Sequence, residues 1–248
     1  MAKYDPSTYG EQIAEVYDRW PGVPANAEAA AEFLAPLAKG RRALGLGIGT
    51  GRVALPLAAR GVQVCGIDAS PAMVAKLGHK PGGAGIRVEI GNFADVRIGG
   101  RFALVYVVFN TFFGVLTQDE QVRCFSRVAK RLAPDGAFVM EAFVPDLSCF
   151  DRGQRTSTLL LDDDRAIIDA ATIDYASQLV RSQHIVLSDD GMRRYPVVLR
   201  FAYPSELDLM ARLAGMCLRE RFGGWDRSPF TSSSAAHVSV YELARALA

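Results

Sequence analysis

One stretch limits what this chain can fold into more than any other: Ala43 to Arg52, A-L-G-L-G-I-G-T-G-R, with glycines at positions 45, 47, 49 and 51. Glycine has no Cβ, so it takes positive φ and lets another molecule come close to the backbone. An apolar run precedes these glycines and Val53-Ala54-Leu55 follows them. That pattern predicts a buried strand, a tight turn and a helix, the unit with which an open α/β sheet holds a nucleotide-like ligand at a strand's carboxyl end. A phosphate-binding P-loop is excluded, because no Lys follows the glycines. The dinucleotide fingerprint G-x-G-x-x-G also fails, since the sixth residue is Thr50 counted from Gly45 and Arg52 counted from Gly47. A βα turn with no ligand is the remaining alternative.

The 248 residues suit one domain with an elaboration, or two small ones. Half of them are hydrophobic, so a packed core is expected. A formal net charge of +1 without runs of like charge argues against a nucleic-acid partner. The longest apolar run, Phe102 to Phe109, is too short to cross a bilayer. The opening M-A-K-Y-D-P-S-T-Y-G lacks the apolar core of a signal peptide. Cys65, Cys124, Cys149 and Cys217 are scattered without metal-ligand spacing. The expectation is a cytoplasmic protein with reduced thiols, no membrane partner and no metal.

Along the chain, Ile13, Val16, Tyr17 and Trp20 predict a helix over 8–20, which Pro21-Gly22-Val23-Pro24 breaks. A second helix over 26–38 has Asn26 as its expected cap. Ahead of the first strand, this pair predicts a lid that brings Tyr9, Tyr17 and Trp20 to the site. Strands are expected at 42–47, at V-Q-V-C-G-I-D ending on Asp68, at 86–91, at R-F-A-L-V-Y-V-V-F over 101–109 and at A-F-V-M-E-A-F-V, with a helix over 118–132. Asp68 closes its strand 17 residues after Gly51, where an acid can accept both hydroxyls of a ribose. Ser70-Pro71 makes the better helix cap, which frees Asp68 for that role. Pro134-Asp135-Gly136 reads as a turn. Beyond Pro145 the rhythm becomes β-type without helices, with hairpin turns at Asp162-Asp163-Asp164 and Asp189-Asp190-Gly191. Ser205 is the expected cap of a last helix, followed by two strands.

With L-G-x-G-T-G from Leu46 to Gly51, D-x-S-x-x-M at Asp68, Ser70 and Met73, and N-F-A-D at Asn92 to Asp95, the chain resembles the class I S-adenosylmethionine (SAM)-dependent methyltransferases. The resemblance implies an α/β, Rossmann-like seven-stranded sheet of order 3-2-1-4-5-7-6, with an N-terminal helical lid and an antiparallel β insert. The domains expected are 1–145 with 204–248, and the insert 146–203. SAM is the cofactor it implies. Gly45, Gly47, Gly49, Thr50, Gly51 and Arg52 would form its turn, with Asp68 on the ribose. Ala69, Met73 and Phe93 would flank the adenine and Asn92 would accept from its amino group. Tyr9, Trp20 and Phe109 would close the pocket. The family usually has an acid where Gly45 stands and another where Asn92 stands; Gly45→Glu is expected to tighten SAM binding.

Methyl transfer from a sulfonium is an in-line displacement, for which placement alone is worth about 7–11 kcal/mol. A general base adds roughly 10²–10⁴-fold where the acceptor must lose a proton. Of the three histidines, His79 lies in a Lys-Pro-Gly-Gly setting and His237 begins the last strand. His184, in the insert, is the candidate base; Tyr17 and Asn110 are the other candidate catalytic residues. For the acceptor the candidates are Phe112, Phe113 and Phe143 as apolar walls, Glu141 at a strand end, and Tyr195, Arg200 and Tyr203 from the insert. The expected function is methylation of an O or N on a small molecule of the secondary-metabolite kind, by a monomer or homodimer. The alternative is a methyltransferase-like protein turned to a non-methylating reaction such as cyclisation, because Gly45 and Asn92 replace acidic contacts. F-N-T-F follows the fourth strand where nucleic-acid methylases carry an N-P-P-Y-like tetrapeptide.

Overall fold

The computed structural model describes residues 4–21 and 26–244. The first predicted helix is shorter than its periodicity implies. Helix α1 (Thr8–Ile13) ends early and the chain passes into a 3₁₀ turn at Tyr17–Arg19. Residues 22–24 of the expected breaker lie outside the described residues. Helix α2 (Ala27–Ala38) starts where expected, but the Asn26 side chain makes no capping bond. Strand β1 (Arg42–Leu46), helix α3 (Ala54–Ala59), strand β2 (Gln63–Asp68), helix α4 (Pro71–Gly78) and strand β3 (Arg87–Ile90) follow in βαβ rhythm. The Ser70 hydroxyl accepts from the Met73 N–H at 3.2 Å with Pro71 in the first turn, the cap read from the sequence.

Strand β4 (Phe102–Val107) is buried along its whole length, as a central strand covered on both faces must be. Helix α5 (Gln118–Arg131) leads into strand β5 (Leu132–Phe143). The turn expected at Pro134-Asp135-Gly136 is instead a bulge within β5: its register against β4 jumps between Leu132 and Ala137. Helix α6 (Pro204–Leu213) begins at Pro204, with Tyr203 and not Ser205 in the capping position. Strands β10 (Met216–Phe222) and β11 (Ala236–Leu243) add antiparallel to β5.

The seven-stranded sheet has the order β10-β11-β5-β4-β1-β2-β3. With the last two strands counted as six and seven, this is 3-2-1-4-5-7-6, as expected. Two apolar layers cover its faces, one built on α2 and Tyr106, the other on α5, α6 and the Phe112, Phe125 and Phe138 rings. The insert forms a second, antiparallel sheet of β6 (Gln154–Leu161), β7 (Arg165–Asp174), β8 (Leu179–Ser188) and β9 (Gly191–Arg200). Asp162-Asp163-Asp164 links β6 to β7, and no cluster of metal-ligating side chains occurs among the described residues. Among the described residues no helix is long and apolar enough to cross a membrane.

Candidate active site

A cavity of about 580 Å³ lies where the carboxyl ends of β1, β2 and β4 meet α1 and the inner face of the antiparallel sheet. This is the size of a small-molecule site. At its base Gly47 and Gly49 have φ of 66° and 57°, which only glycine adopts without strain. A Cβ on Gly47 would collide with the Thr111 methyl, so the turn must be bare here. The Asp68 carboxylate accepts from the Gly49 N–H at 2.7 Å and the Ser70 N–H at 2.9 Å. Burial raises its pKa and those N–H groups oppose the shift. It thus stands rigid on the cavity wall, able to accept from a ligand's hydroxyls.

Ala69, Met73, Asn92 and Phe93 line the same end. The Asn92 amide oxygen accepts from the Ala94 N–H at 2.9 Å, which anchors the turn carrying Phe93. From the other side α1 brings Tyr9, and the 3₁₀ turn brings Tyr17. The lid is tied down at both ends: Glu11 accepts from the Ser70 hydroxyl at 2.6 Å and the Ala72 N–H at 3.0 Å, and Asp18 from the Thr50 hydroxyl at 2.6 Å. Burial pushes the pKa of both tyrosines up, so their hydroxyls stay protonated at neutral pH.

The mouth of β4 holds the most constrained backbone. Phe109 and Asn110 both sit at positive φ, 56° and 63°. Two such residues in a row cost on the order of 1–3 kcal/mol each. Local contacts hold them there. Glu141 accepts from the Phe109 N–H, and the Asn110 amide oxygen accepts from the Phe143 N–H at 2.7 Å. The Arg52 guanidinium lies 3.8 Å from the Phe109 ring centre and donates to the Tyr17 hydroxyl at 3.2 Å. Phe109, Asn110 and Phe143 all face the cavity.

The far wall comes from the antiparallel sheet. Period-two alternation puts Asp169 of β7 opposite His184 of β8, with Ser182 beside it on the same face. The buried Asp169 carboxylate pairs with Arg155 of β6 and accepts from the Ser182 hydroxyl. His184 Nε2 lies 3.7 Å from Asp169 Oδ1. Burial lowers the His184 pKa and the Arg155 charge adds to that, while Asp169 opposes it. The ring is therefore neutral at pH 7, stacked 5.6 Å from Trp20.

Several sequence candidates stand elsewhere. Phe112 and Phe113 are fully buried in the core under α5, because the turn after Asn110 rolls them away from the mouth. Arg200 is buried in a bonded cluster with Gln121, Gln178 and Glu206, and Tyr203 lies on the surface at the start of α6. Trp20 and Tyr195 pack behind His184 and line a separate depression, not the main cavity. Gly45 lies within β1 against Tyr106, Thr50 and Gly51 are buried behind the turn, and Glu141 and Arg52 support Phe109 from behind. Sequence reasoning missed Arg155, Asp169 and Ser182. The available signal was same-face spacing: Ser182 is two residues from His184, and Asp169 is the lone charge in an apolar strand interior.

Known proteins agree with this architecture. A family model described as "Methyltransferase domain" matches residues 43–136. The chain is 29% identical over 244 residues to the cypemycin N-terminal methyltransferase of a Streptomyces species, covering 96% of this chain and 98% of that protein. The CcbJ methyltransferase from Streptomyces caelestis is 42% identical, with a TM-score of 0.92 over 98% of this chain and 100% of that one. The SAM-bound amino pentose methyltransferase CalS10 from Micromonospora echinaspora shares the fold, at 22% identity and a TM-score of 0.68 over 92% of this chain and 94% of that one. With a methyltransferase model matched over the glycine turn and a methyltransferase 42% identical over nearly the whole length, the chain belongs to the class I SAM-dependent methyltransferases.

Proposed function

We propose that the protein methylates a nitrogen of a small-molecule acceptor, held between the glycine turn and the inner face of the insert sheet. One observation carries this reading: a single cavity joins Gly47 and Asp68 at one end to Asp169 and His184 at the other. SAM, when bound, supplies an electrophilic methyl group on a sulfonium. In this reading Gly47, Gly49 and Asp68 hold its amino acid and ribose, and Ala69, Met73, Asn92 and Phe93 its adenine. Tyr9, Tyr17 and Phe109 close over it and exclude water. Phe143 and the insert, which we take as a unit of residues 146–203, hold the acceptor. Asn110 fixes the wall through its bond to Phe143. The neutral His184 imidazole accepts the proton that the attacking nitrogen loses. That the cypemycin relative is named for an N-terminal substrate supports nitrogen over oxygen.

The non-methylating alternative rested on Gly45 and Asn92. Each has a structural reason of its own here, the Tyr106 ring against Gly45 and the turn bonded by Asn92, so neither requires an idle cofactor pocket. Incubation with methyl-labelled SAM and paired amine and hydroxyl acceptors tests the proposal. Label on amine nitrogen is expected. Label on oxygen alone, or no calorimetric SAM binding at millimolar concentration, overturns it.

A further inference from the structure

Among the buried polar atoms that have no hydrogen-bond partner among the described residues, two belong to side chains on the cavity wall: His184 Nδ1 and Arg155 Nε. An unpaired buried polar atom costs roughly 1–3 kcal/mol, so such an atom beside a ligand cavity marks where a ligand bonds. The other ring nitrogen of His184 faces Asp169, whose remaining contacts are all donors: Arg155 and Ser182. A carboxylate in that place favours a hydrogen on Nε2. The lone pair is then left on Nδ1.

We propose that Asp169 is a positioning residue that holds His184 as the Nε2–H tautomer, so that Nδ1 presents its lone pair to the acceptor. This rests on the reading of His184 as proton acceptor. The step balances: an N–H bond of the protonated amine acceptor breaks, its proton forms a new bond to Nδ1, and the electron pair left on nitrogen would form the bond to the methyl carbon, whose bond to sulfur would break with its pair passing to the sulfur. The Asp169 side chain takes no proton in this step and faces the imidazolium that results. The pairing is the same device by which an aspartate sets the tautomer of a hydrolase histidine. Around the ring the charged or titratable groups are Asp169 from β7, Arg155 from β6 and the Tyr195 phenol from β9, with the uncharged Trp20 ring stacked on it.

Asp169→Asn replaces an acceptor with a group that donates, which turns the ring to the Nδ1–H form. Its kcat is expected to fall by about 10²-fold, the scale of a lost general base, while KM for the acceptor and the Kd for SAM stay put. The acidic limb of the kcat–pH profile is expected to move to lower pH, because the carboxylate that favours the imidazolium is gone. Asp169→Glu keeps the charge and is expected to restore part of the turnover. Unchanged kcat and pH limb in Asp169→Asn, with His184→Ala impaired, overturns the positioning role alone. Full turnover by His184→Ala overturns the proton-acceptor reading on which it rests. Because Asp169→Asn also loosens Arg155 and Ser182, nitrogen-15 shifts of His184 in the unsubstituted protein give a second measurement. Protonation at Nε2 is expected, and protonation at Nδ1 overturns the proposal.

Discussion

The Tyr106 hydroxyl lies 2.8 Å from the point where a Cβ on Gly45 would stand. The two residues face each other across the β1–β4 pairing, so the tyrosine occupies the space an acid at position 45 would need. The expected gain in SAM affinity from Gly45→Glu is therefore reversed. The substitution forces Tyr106 out of a cluster that includes Phe33, Leu104 and Val139, and overpacking of this kind costs roughly 1–3 kcal/mol. A fall in Tm without tighter SAM binding is the expected outcome. The Tyr106 hydroxyl is itself buried without a partner among the described residues, so Tyr106→Phe should leave Tm unchanged or raise it. A large loss in Tyr106→Phe would show that the hydroxyl has a bonded role.

Asp68 serves both the turn and the ligand. Asp68→Asn keeps the shape but turns one accepting oxygen into a donor, facing the Gly49 or Ser70 N–H. Loss of one charge-assisted bond is worth about 1.5–3 kcal/mol, so the Kd for SAM should rise roughly 10- to 100-fold. Calorimetry measures this directly. An unchanged Kd would remove Asp68 from the cofactor site.

Gly10 is where the lid touches the base of the site. A Cβ there would stand 2.5 Å from the Ser70 Cβ, and α1 passes over α4 only because it is absent. Gly10→Ala should push the lid outward, at a cost of roughly 1–3 kcal/mol to the closed form. Faster hydrogen exchange over residues 8–20 and weaker SAM binding are expected, with the Tm of the rest of the fold little changed. Unaltered exchange would mean that Ser70 gives way instead.

His237 sets a pH dependence of stability. It is buried in β11, bonded through Nδ1 to the Ser239 hydroxyl at 2.8 Å, and burial lowers its pKa to about 4. The unfolded chain binds this proton near pH 6.5 and the folded chain does not, so stability is full above that value. It falls as pH drops from about 6.5 towards 4, by about 3 kcal/mol if the whole shift is realised. Urea unfolding at pH 7.5 and pH 5 should show the loss, and His237→Gln should flatten it. An equal slope in both proteins would place the pH dependence elsewhere.

The glycine turn, the acid at the end of β2 and the Ser70-Pro71 cap were legible because each depends on neighbours in the chain, whereas the strand order was implied only by the family resemblance. Positive φ needs glycine, a cap needs a short hydroxyl, and a strand buried on both faces needs an unbroken apolar run. Those local requirements, with the L-G-x-G-T-G resemblance, were enough for the fold, the cofactor and the reaction class. They could not say which of the phenylalanines near the mouth of β4 and the end of β5 line the cavity. Phe109 and Phe143 line the cavity and Phe112 and Phe113 do not, because a left-handed backbone at Phe109 and Asn110 turns the chain there.

Pairings between distant strands belonged to the tertiary structure alone. Asp169, Ser182 and His184 share a face only through the register of β7 against β8, and a slip of one residue would put the aspartate on the opposite side. Tyr106 explains Gly45 only because β4 lies beside β1, and Gln121 and Glu206 remove Arg200 from the site only because α5 and α6 pack together. The sequence by itself determined the turn that can hold a nucleoside, since backbone geometry there is a property of the residues in it. What faces that nucleoside was decided by long-range register and packing, where identical local patterns serve core and site alike.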